Sequence, residues 1–400
     1  MDGPGRGRVA HIVPTDRIAH YLLRARLGRL RQAGYDTTVL CGRAPTEGER
    51  DYTESLRSAG IEVIEVPFAR EIAPLTDCRC ARALCAAARR GGYDIVHSHN
   101  PKGGLLGPMA TRLARGPAAV HTVHGFLFNE SSRPLRRAAA MAAERWTAAW
   151  CDHLLFQSAE DHEYARQHRY KPAGRLHLIG NGVDEARFDP DLYPAGRQSR
   201  RAELGLGAED LVVGMVGRLV REKGFEEYFA MAGEVARTHP RAHFLVVAIA
   251  EPEQSDAVDA DALVRRHGLG GRCRVLEQRS DMPELYLAMD LAVLPSYREG
   301  IPRALMEASC MGLPVVATDI RGCREVVAHE ETGLLYALGD QPAFLEAVER
   351  LLVSHELRAR LGGAGRRRIL EHFTEAITAD RVVACYDGIL AARTSGGRAR

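Results

Sequence analysis

Two glutamates eight positions apart, Glu299 and Glu307, frame a Gly-Ile-Pro turn in the stretch PSYREGIPRALMEA (295–308), directly after the apolar run Leu291–Leu294. The run predicts a buried parallel strand and Pro302 is a favoured first residue of a helix, so the piece reads strand, turn, helix. Glu299 then falls in the turn and Glu307 inside the helix. A helix that begins beneath a strand's carboxyl end aims unpaired N–H groups and a positive dipole end into the crevice where open α/β sheets bind ligands. The expected ligand is anionic. A carboxylate beside a diphosphate is repelled by it, so Glu299 is expected to accept hydrogen bonds from sugar hydroxyls. Glu307 is expected to accept from ribose hydroxyls, as acidic residues do in dinucleotide folds; a plain helix-surface glutamate is its alternative.

Two cations stand ready for the phosphates. GMVGRLVREKGF (214–225) places Arg218 and Lys223 five positions apart around a turn that leads into a helix, a spacing that suits a diphosphate clamp. Alone they read as solvated surface charges; the companion helix start two or three strands away favours the clamp. In VHSHNPKGG and VHTVHGF, His97, His99, His121 and His124 fall at or near strand ends. Imidazole titrates near neutrality and both donates and accepts, which suits contact with a sugar or a leaving group. Zinc is disfavoured because His97 and His99 are read as alternating faces of their strand, and His121 and His124, three steps apart, likewise. His124, followed by Gly125, is the candidate for ligand contact; the other three read as satisfied strand-end histidines. The acidic cluster DAVDADA (Asp256, Asp259, Asp261) contains a DxD, but in a polar helical stretch it reads as a solvated face. Gly214 and Gly217 fit neither the Walker loop nor GxGxxG, which argues against kinases and dehydrogenases.

The elements that must position these residues come in two series. In the first half β-like runs (RVAHIV, TTVLC, IEVIEV, DIVHSH, AAVHTVHG, HLLFQS) alternate with helical stretches, which implies βαβ units and a parallel, doubly wound sheet. A break at LHLIGNGVDEARFDPDLYPAG, rich in turn formers, marks the inter-domain linker. The pattern restarts with DLVVGMVGRL and runs through AHFLVVAIA, RCRVLEQ, LAVLPSY, LPVVAT and TGLLYAL, a second parallel sheet. The last segment, FTEAITADRVVACYDGIL, is helical in spacing and follows that second closure. The expected boundaries are 1–185 for the first domain with 376–395 packing back onto it, 186–204 for the linker, and 205–375 for the second domain. The expected fold class is α/β, two Rossmann-like parallel-sheet domains facing a shared cleft.

Length and composition agree. Four hundred residues exceed the size of a single core, so two domains of roughly 150 to 200 residues are expected. With 46% hydrophobic and 26% charged residues the chain reads as an ordinary soluble globular protein, and a net charge of +2 argues against bulk nucleic-acid binding. No signal-like apolar core opens the sequence and no window of about 18 apolar residues occurs, so a cytoplasmic location is expected. Nine scattered cysteines without a CxxC pair read as mostly buried thiols rather than a zinc or redox site.

Taken together, GRLVREKG (217–224), PSYREGIPRALMEASCMGLPVVATDIRGCREVV (295–327), NGVD (181–184) and VHTVHGF (120–126) resemble the retaining glycosyltransferases of family 4, with the two-domain GT-B fold, over nearly the whole chain. HNPKGGLLG, HTVHGF and RGCRE resemble the bacterial branch that builds capsular and other surface polysaccharides. The resemblance implies a donor set that includes Gly217, in which Arg218 and Lys223 hold the donor diphosphate, Glu299 with the amides of Gly300 and Ile301 holds the donor sugar, and Glu307 holds the ribose. Gln278, Arg279, Pro302 and Arg303 complete the implied donor set. His124 would reach the reacting sugar from the other domain, giving His124, Arg218, Lys223 and Glu299 as the catalytic group; Thr15, His99, Asn100, Lys102 and Gly125 are the implied acceptor-side residues. The implied activity is transfer of a hexose from a nucleotide-diphosphate sugar, UDP expected over GDP, without a metal or other cofactor. The leaving diphosphate would help deprotonate the acceptor on the same face, with positioning and electrostatics supplying the rate.

The implied acceptor is a polyprenyl-diphosphate-linked saccharide at the inner membrane face, which SSRPLRRAAAMAAERWTAAW (131–150) would approach as a basic amphipathic patch; an ordinary helix packed beside the cleft is the equal alternative for that stretch. The alternatives are a soluble specialised-metabolite acceptor, a nucleotide-sugar 2-epimerase of the same architecture, and a non-catalytic sugar-nucleotide binder; the Glu, Arg and Lys set argues against the epimerase and His124 against the binder. Two turns depart from the family pattern. VVAIAEPEQ (246–254) replaces a Gly-rich turn, and IVPTDRIAHYL lacks the glycine pair many relatives carry near the donor phosphate.

Overall fold

The computed structural model describes residues 5–44, 51–69, 73–128, 134–249, 256–277 and 279–397. They form two compact units, one of Met1–Asn181 with Glu375–Arg400 and the other of Gly182–Thr374.

In the first unit β1 (Gly7–Thr15), β2 (Tyr35–Gly42), β3 (Glu62–Glu65), β4 (Ile95–His99), β5 (Ala118–Val123), β6 (His153–Phe156) and β7 (Leu176–Leu178) alternate with α1 (Asp16–Gln32), α2 (Tyr52–Ser58), α3 (Pro74–Arg90), α4 (Asn100–Ala114), α5 (Pro134–Trp150) and α6 (Ala159–Gln167). The strands pair in the order β3-β2-β1-β4-β5-β6-β7, all parallel. Every residue of β4 and β5 is buried, as helices on both faces of a parallel sheet require. The order reverses between β1 and β4, so the ligand crevice of this sheet lies beyond Thr15 and His99. The β1–β4 register sets His11 beside His97.

The second unit repeats the plan with α7 (Gly196–Glu203), β8 (Leu211–Arg218), α8 (Phe225–Thr238), β9 (Ala242–Ile249), α9 (Ala260–Arg266), β10 (Cys273–Glu277), α10 (Met282–Ala288), β11 (Leu291–Leu294), α11 (Arg303–Cys310), β12 (Val315–Thr318), α12 (Cys323–Val326), β13 (Leu334–Tyr336), α13 (Gln341–Val353) and α14 (His355–His372). Its strands pair in parallel in the order β10-β9-β8-β11-β12-β13, with the reversal between β8 and β11. Two apolar clusters cover the sheet, one under α8 and α13, the other under α10 and α11.

The chain ends in α15 (Glu375–Gly397), which returns to the first unit. Its Val382, Tyr386 and Ile389 complete the apolar cluster formed by Leu23, Leu27 and Leu30 of α1 with β1 and β2. α1 is helical because its apolar residues recur at helical spacing and because the Thr15 hydroxyl caps it, accepting from the Ile18 N–H at 3.4 Å. One charged residue interrupts that apolar stripe. Arg26 grips Glu375 through Nε and Nη2 at 2.6 and 3.3 Å, and both side chains are 3% exposed.

The structure differs from the sequence reading at the junction. Residues 186–204 do not form a linker: Phe188 and Leu204 are buried in the second unit's core, and Arg201 donates to the carbonyls of Ala288, Gly207 and Asp210 at 3.0, 2.7 and 2.6 Å. Carbonyls rather than apolar residues anchor α7, so its polar sequence resembles a loop. LHL, the opening of the expected break, is β7.

Candidate active site

Three loops meet at the carboxyl ends of β8, β11 and β12, on either side of the strand-order reversal. The first, 219–224, follows Arg218 and ends at Gly224, whose φ of 80° opens α8; a Cβ there would lie 1.9 Å from the Pro295 carbonyl oxygen. The second, 295–302, carries Glu299, Gly300 and Ile301. Gly322, at φ 81° before α12, closes the third loop, and a Cβ there would lie 1.6 Å from the Gly300 oxygen. Only glycine permits both approaches. Gly322→Ala is therefore expected to displace the Glu299–Gly300 segment and to cost on the order of 2 kcal/mol, read as a lower urea midpoint. An unchanged midpoint would show that the loop yields freely.

The first two loops bind each other crosswise. Lys223 Nζ donates to Glu299 Oε1 at 2.6 Å, with the side chains 16% and 9% exposed. Glu222 accepts both arms of Arg298 at 2.7 and 3.0 Å, and its carboxylate also stands 4.0 Å from Arg218. Burial pushes the Glu222 carboxyl up, but the Arg298 hydrogen bonds and charge, with Lys223 and Arg218, outweigh it and hold the group below the usual range. The Tyr297 N–H and the Ser296 hydroxyl both donate to the Glu222 carbonyl, at 2.9 and 3.2 Å. Glu222 and Arg298 escaped the sequence reading. The signal was present as two adjacent dipeptides of opposite order, Glu222-Lys223 and Arg298-Glu299, each residue meeting its opposite across the loops.

Pro302 is the extended N-cap residue, so α11 begins at Arg303, one position later than expected. Glu307, in α11, accepts from the Tyr286 hydroxyl at 3.1 Å and lies 3.6 Å from Arg303. Gly217 leaves 3.8 Å between its Cβ position and Lys223 Cγ, ordinary contact. Arg279 is engaged by Asp281 at 2.9 and 2.7 Å. Gln278 and most of the altered turn, 250–254, lie outside the described residues. Asp259 of the DxD cluster caps α9 by accepting from the Ala262 N–H at 2.9 Å, so the helix begins only after it.

In the first unit the histidines form a buried network. His11 Nδ1 lies 3.1 Å from His99 Nε2, and His99 Nδ1 lies 3.2 Å from His124 Nε2. His97 meets the Tyr386 hydroxyl of α15 at 2.5 Å and the Thr122 hydroxyl at 2.7 Å. His97 and His99 do not alternate faces: residues two apart share a face of a strand, and their rings stack with centroids 4.2 Å apart. His121 lies on the opposite face, its Nδ1 2.9 Å from the Ser98 hydroxyl. Burial holds every one of these rings neutral, pushing His11 and His124 down to about 3, His121 to about 4, and His97 and His99 well below the usual imidazole range. Nitrogens of His11, His97 and His99 lie within 4.8 Å of one another, close enough to suggest a metal cluster. However, both nitrogens of His97 and both of His99 already have protein partners.

His124 is partly exposed and Gly125 follows at φ 130°. His99, expected on the acceptor side, is only 1% exposed. Lys102 is ion-paired with Asp77 of α3 at 2.8 Å, Thr15 caps α1, and Asn100, at φ 63°, has a buried Oδ1 without a hydrogen-bond partner. All nine cysteines are free thiols, Cys78 exposed and Cys80 buried.

Comparison with known proteins places this geometry. Residues 196–368 match the family described as glycosyl transferases group 1, and residues 21–187 match Glycosyltransferase Family 4. The UDP-Gal:alpha-D-GlcNAc-diphosphoundecaprenol alpha-1,3-galactosyltransferase of Escherichia coli is 32% identical over 285 residues, 70% of this chain and 72% of that protein. The capsular polysaccharide biosynthesis glycosyltransferase CapM of Staphylococcus aureus is 25% identical over 332 residues, 81% of this chain and 84% of that one. Among solved structures, Anabaena Alr3699/HepE in complex with UDP and glucose superposes with a TM-score of 0.80 at 20% identity, over 96% of this chain and 100% of that one, a likeness of fold. Two Rossmann-like parallel sheets in this order are the GT-B fold, and the chain belongs to glycosyltransferase family 4.

Proposed function

We propose that the protein is a retaining hexosyltransferase that takes its sugar from a UDP-sugar and works in surface-polysaccharide or glycan assembly. The observation that carries this reading is the convergence of Arg218, Lys223 and Glu299 at the carboxyl ends of β8 and β11, where the strand order reverses. Arg218 and Lys223 hold the diphosphate, Glu299 with the Gly300 and Ile301 amides holds the sugar, and Glu307 holds the ribose. His124, Thr15 and Asn100 serve the reacting sugar and the acceptor. The acceptor is a hydroxyl of a polyprenyl-diphosphate-linked saccharide, the chemistry named for the E. coli relative. No metal is needed, because arginine and lysine neutralise the leaving diphosphate.

Among the described residues no helix is long and apolar enough to cross a membrane. Contact with the inner membrane face instead falls to α5, where Leu135, next to Arg136 and Arg137, is 84% exposed and Trp146, further along, 47%. Residues 131–133, the start of that expected patch, lie outside the described residues.

The reading is tested by melting the protein with UDP, GDP, ADP and TDP, each with and without EDTA, since a ligand of the folded state raises the melting temperature. The expected result is a UDP-selective rise that EDTA leaves unchanged. No rise with any nucleotide would overturn the donor assignment, and an EDTA-sensitive rise would overturn the metal-free one. Lys223→Ala is expected to weaken UDP binding about 10- to 100-fold, the scale of a lost charge-assisted hydrogen bond. Unchanged affinity, read by titration calorimetry, would remove Lys223 from the clamp.

A further inference from the structure

The histidine network of the first unit has a direction, and the direction decides what His124 can do. His124 Nε2 faces His99 Nδ1 at 3.2 Å. That leaves its Nδ1 unengaged by His99, and Gln157 stands near enough to favour added positive charge on the ring. The amide is oriented independently, because Gln157 Nε2 donates to Asn181 Oδ1 at 3.0 Å and so leaves its oxygen as the free acceptor. His124 then carries its proton on Nδ1, and its Nε2 accepts from His99 Nδ1–H. His99 Nε2, in turn, accepts from His11 Nδ1–H at 3.1 Å. The chain ends at His11 Nε2, which is buried with no hydrogen-bond partner among the described residues. In this polarity the partnerless atom is a bare acceptor. Reversed, it would be an N–H donor buried without an acceptor, the rarer and costlier arrangement.

We infer that His124 meets its ligand as a neutral hydrogen-bond donor through Nδ1, and that His99, itself held by His11, is the positioning residue that sets this tautomer. The inference rests on the reading of His124 as a ligand contact. A ligand oxygen, from a sugar hydroxyl or a phosphate, accepts from that N–H. With Nε2 occupied, His124 does not accept the acceptor's proton, and that task falls to another group. The surroundings keep the chain neutral. His97 stacks against His99 and tilts against His11, with centroids 4.2 and 5.4 Å apart, and is itself held by Thr122 and Tyr386. The Arg26 guanidinium of α1 raises the positive potential at His11, His97, His99 and His124, while the nearby carboxylate, Glu375 of α15, is engaged by Arg26. His121, across the sheet, would repel charge on His124 only when itself protonated.

The test is the long-range ¹H–¹⁵N spectrum of the full chain labelled at histidine, recorded without nucleotide between pH 5.5 and 8. His11, His99 and His124 are expected as Nδ1–H tautomers that do not titrate in that range. In His99→Ala the His124 signals should move toward a mixture of tautomers, with the turnover number falling on the order of tenfold and the donor KM little changed. His99→Asn, whose amide N–H can stand in for Nδ1–H, should restore both. An Nε2–H tautomer at His124, a titration near 6.5, or a His99→Ala spectrum with His124 unmoved would each overturn the inference. So would stoichiometric Zn²⁺ shifting His11, His97 and His99 to a metal-bound pattern, which would make the cluster a metal site. Because the spectrum needs no substrate, the wild-type protein alone decides it. A correct tautomer in a protein that binds no nucleotide would leave the inference standing while the proposed function fell.

Discussion

Acidification from pH 6.5 to about 4.5 is expected to unfold the first unit. Four histidines buried in its sheet, His11, His97, His99 and His121, and the partly exposed His124 just beyond β5, are held below the ordinary value of 6.5 chiefly by desolvation. Their folded-state pKa values lie below the unfolded ones, so the folded unit binds fewer protons in this window. The stabilising contribution is therefore complete above about pH 6.5 and is lost as pH falls toward the folded values. Each ring contributes a slope of about 1.4 kcal/mol per pH unit, so two acting independently would remove about 5 kcal/mol over two units, comparable with the whole stability of many domains. The measurement is direct, because both tryptophans, Trp146 and Trp150, lie in α5 of this unit and their fluorescence reports on it. Urea midpoints followed by tryptophan emission should fall steeply from pH 7 to pH 5. A flat profile would mean that the rings are charged or solvated in the folded protein.

Arg26→Ala should be nearly as damaging at neutral pH. The Arg26–Glu375 pair is bidentate with both side chains 3% exposed, and removing one partner leaves a buried charge uncompensated, typically a loss of 3 to 5 kcal/mol, about 4 here. Glu375→Ala should cost a similar amount, leaving the guanidinium stranded beside the neutral histidines. The informative variant is the double change Arg26→Leu with Glu375→Leu. It removes both charges and is expected to recover most of the loss, since a well-packed apolar pair can replace a buried ion pair. A double variant as unstable as either single change would show that the pair is needed for more than charge balance, and single variants without effect would show that water reaches it.

The elements that carry Glu299 and Lys223 were legible because they coincide with strong local signals. Leu291–Leu294 and the run through Met215 are buried strands, and Gly-Ile-Pro and Lys-Gly mark turns, so Glu299 and Lys223 could be set at strand ends without knowing what faced them. What faced them was not legible in the same way. Lys223–Glu299 and Glu222–Arg298 join positions 76 residues apart, and no periodicity reports a contact of that range. Two of the misreadings have different causes. β7, at three residues, is too short for any period to show, and α7 was hidden because Arg201 is buried by bonding carbonyls rather than by being apolar. The histidine pair of β4 is a misapplied rule, since a period of two puts His97 and His99 on one face. Once they share it, the stack at 4.2 Å follows, the β1–β4 register brings His11 beside His97, and the β4–β5 register, with His99 beside Thr122, leads to His124.

The chain passes between the units twice, at Asn181–Gly182 and at Thr374–Glu375, and the Val183 N–H donates to the Phe373 carbonyl at 2.9 Å next to both crossings. The second unit is thus one uninterrupted length of polypeptide inserted into the first. On the ribosome this inverts the order of completion. Residues 182–374 can finish folding as soon as they emerge, whereas the half made first must wait for the last segment translated. Until α15 arrives, Arg26 has no carboxylate, His97 has no tyrosine, and the apolar cluster around Leu23 and Leu27 lacks Val382, Tyr386 and Ile389. A released chain ending before residue 375 would therefore carry a complete second unit and, in the first, an open, histidine-lined core.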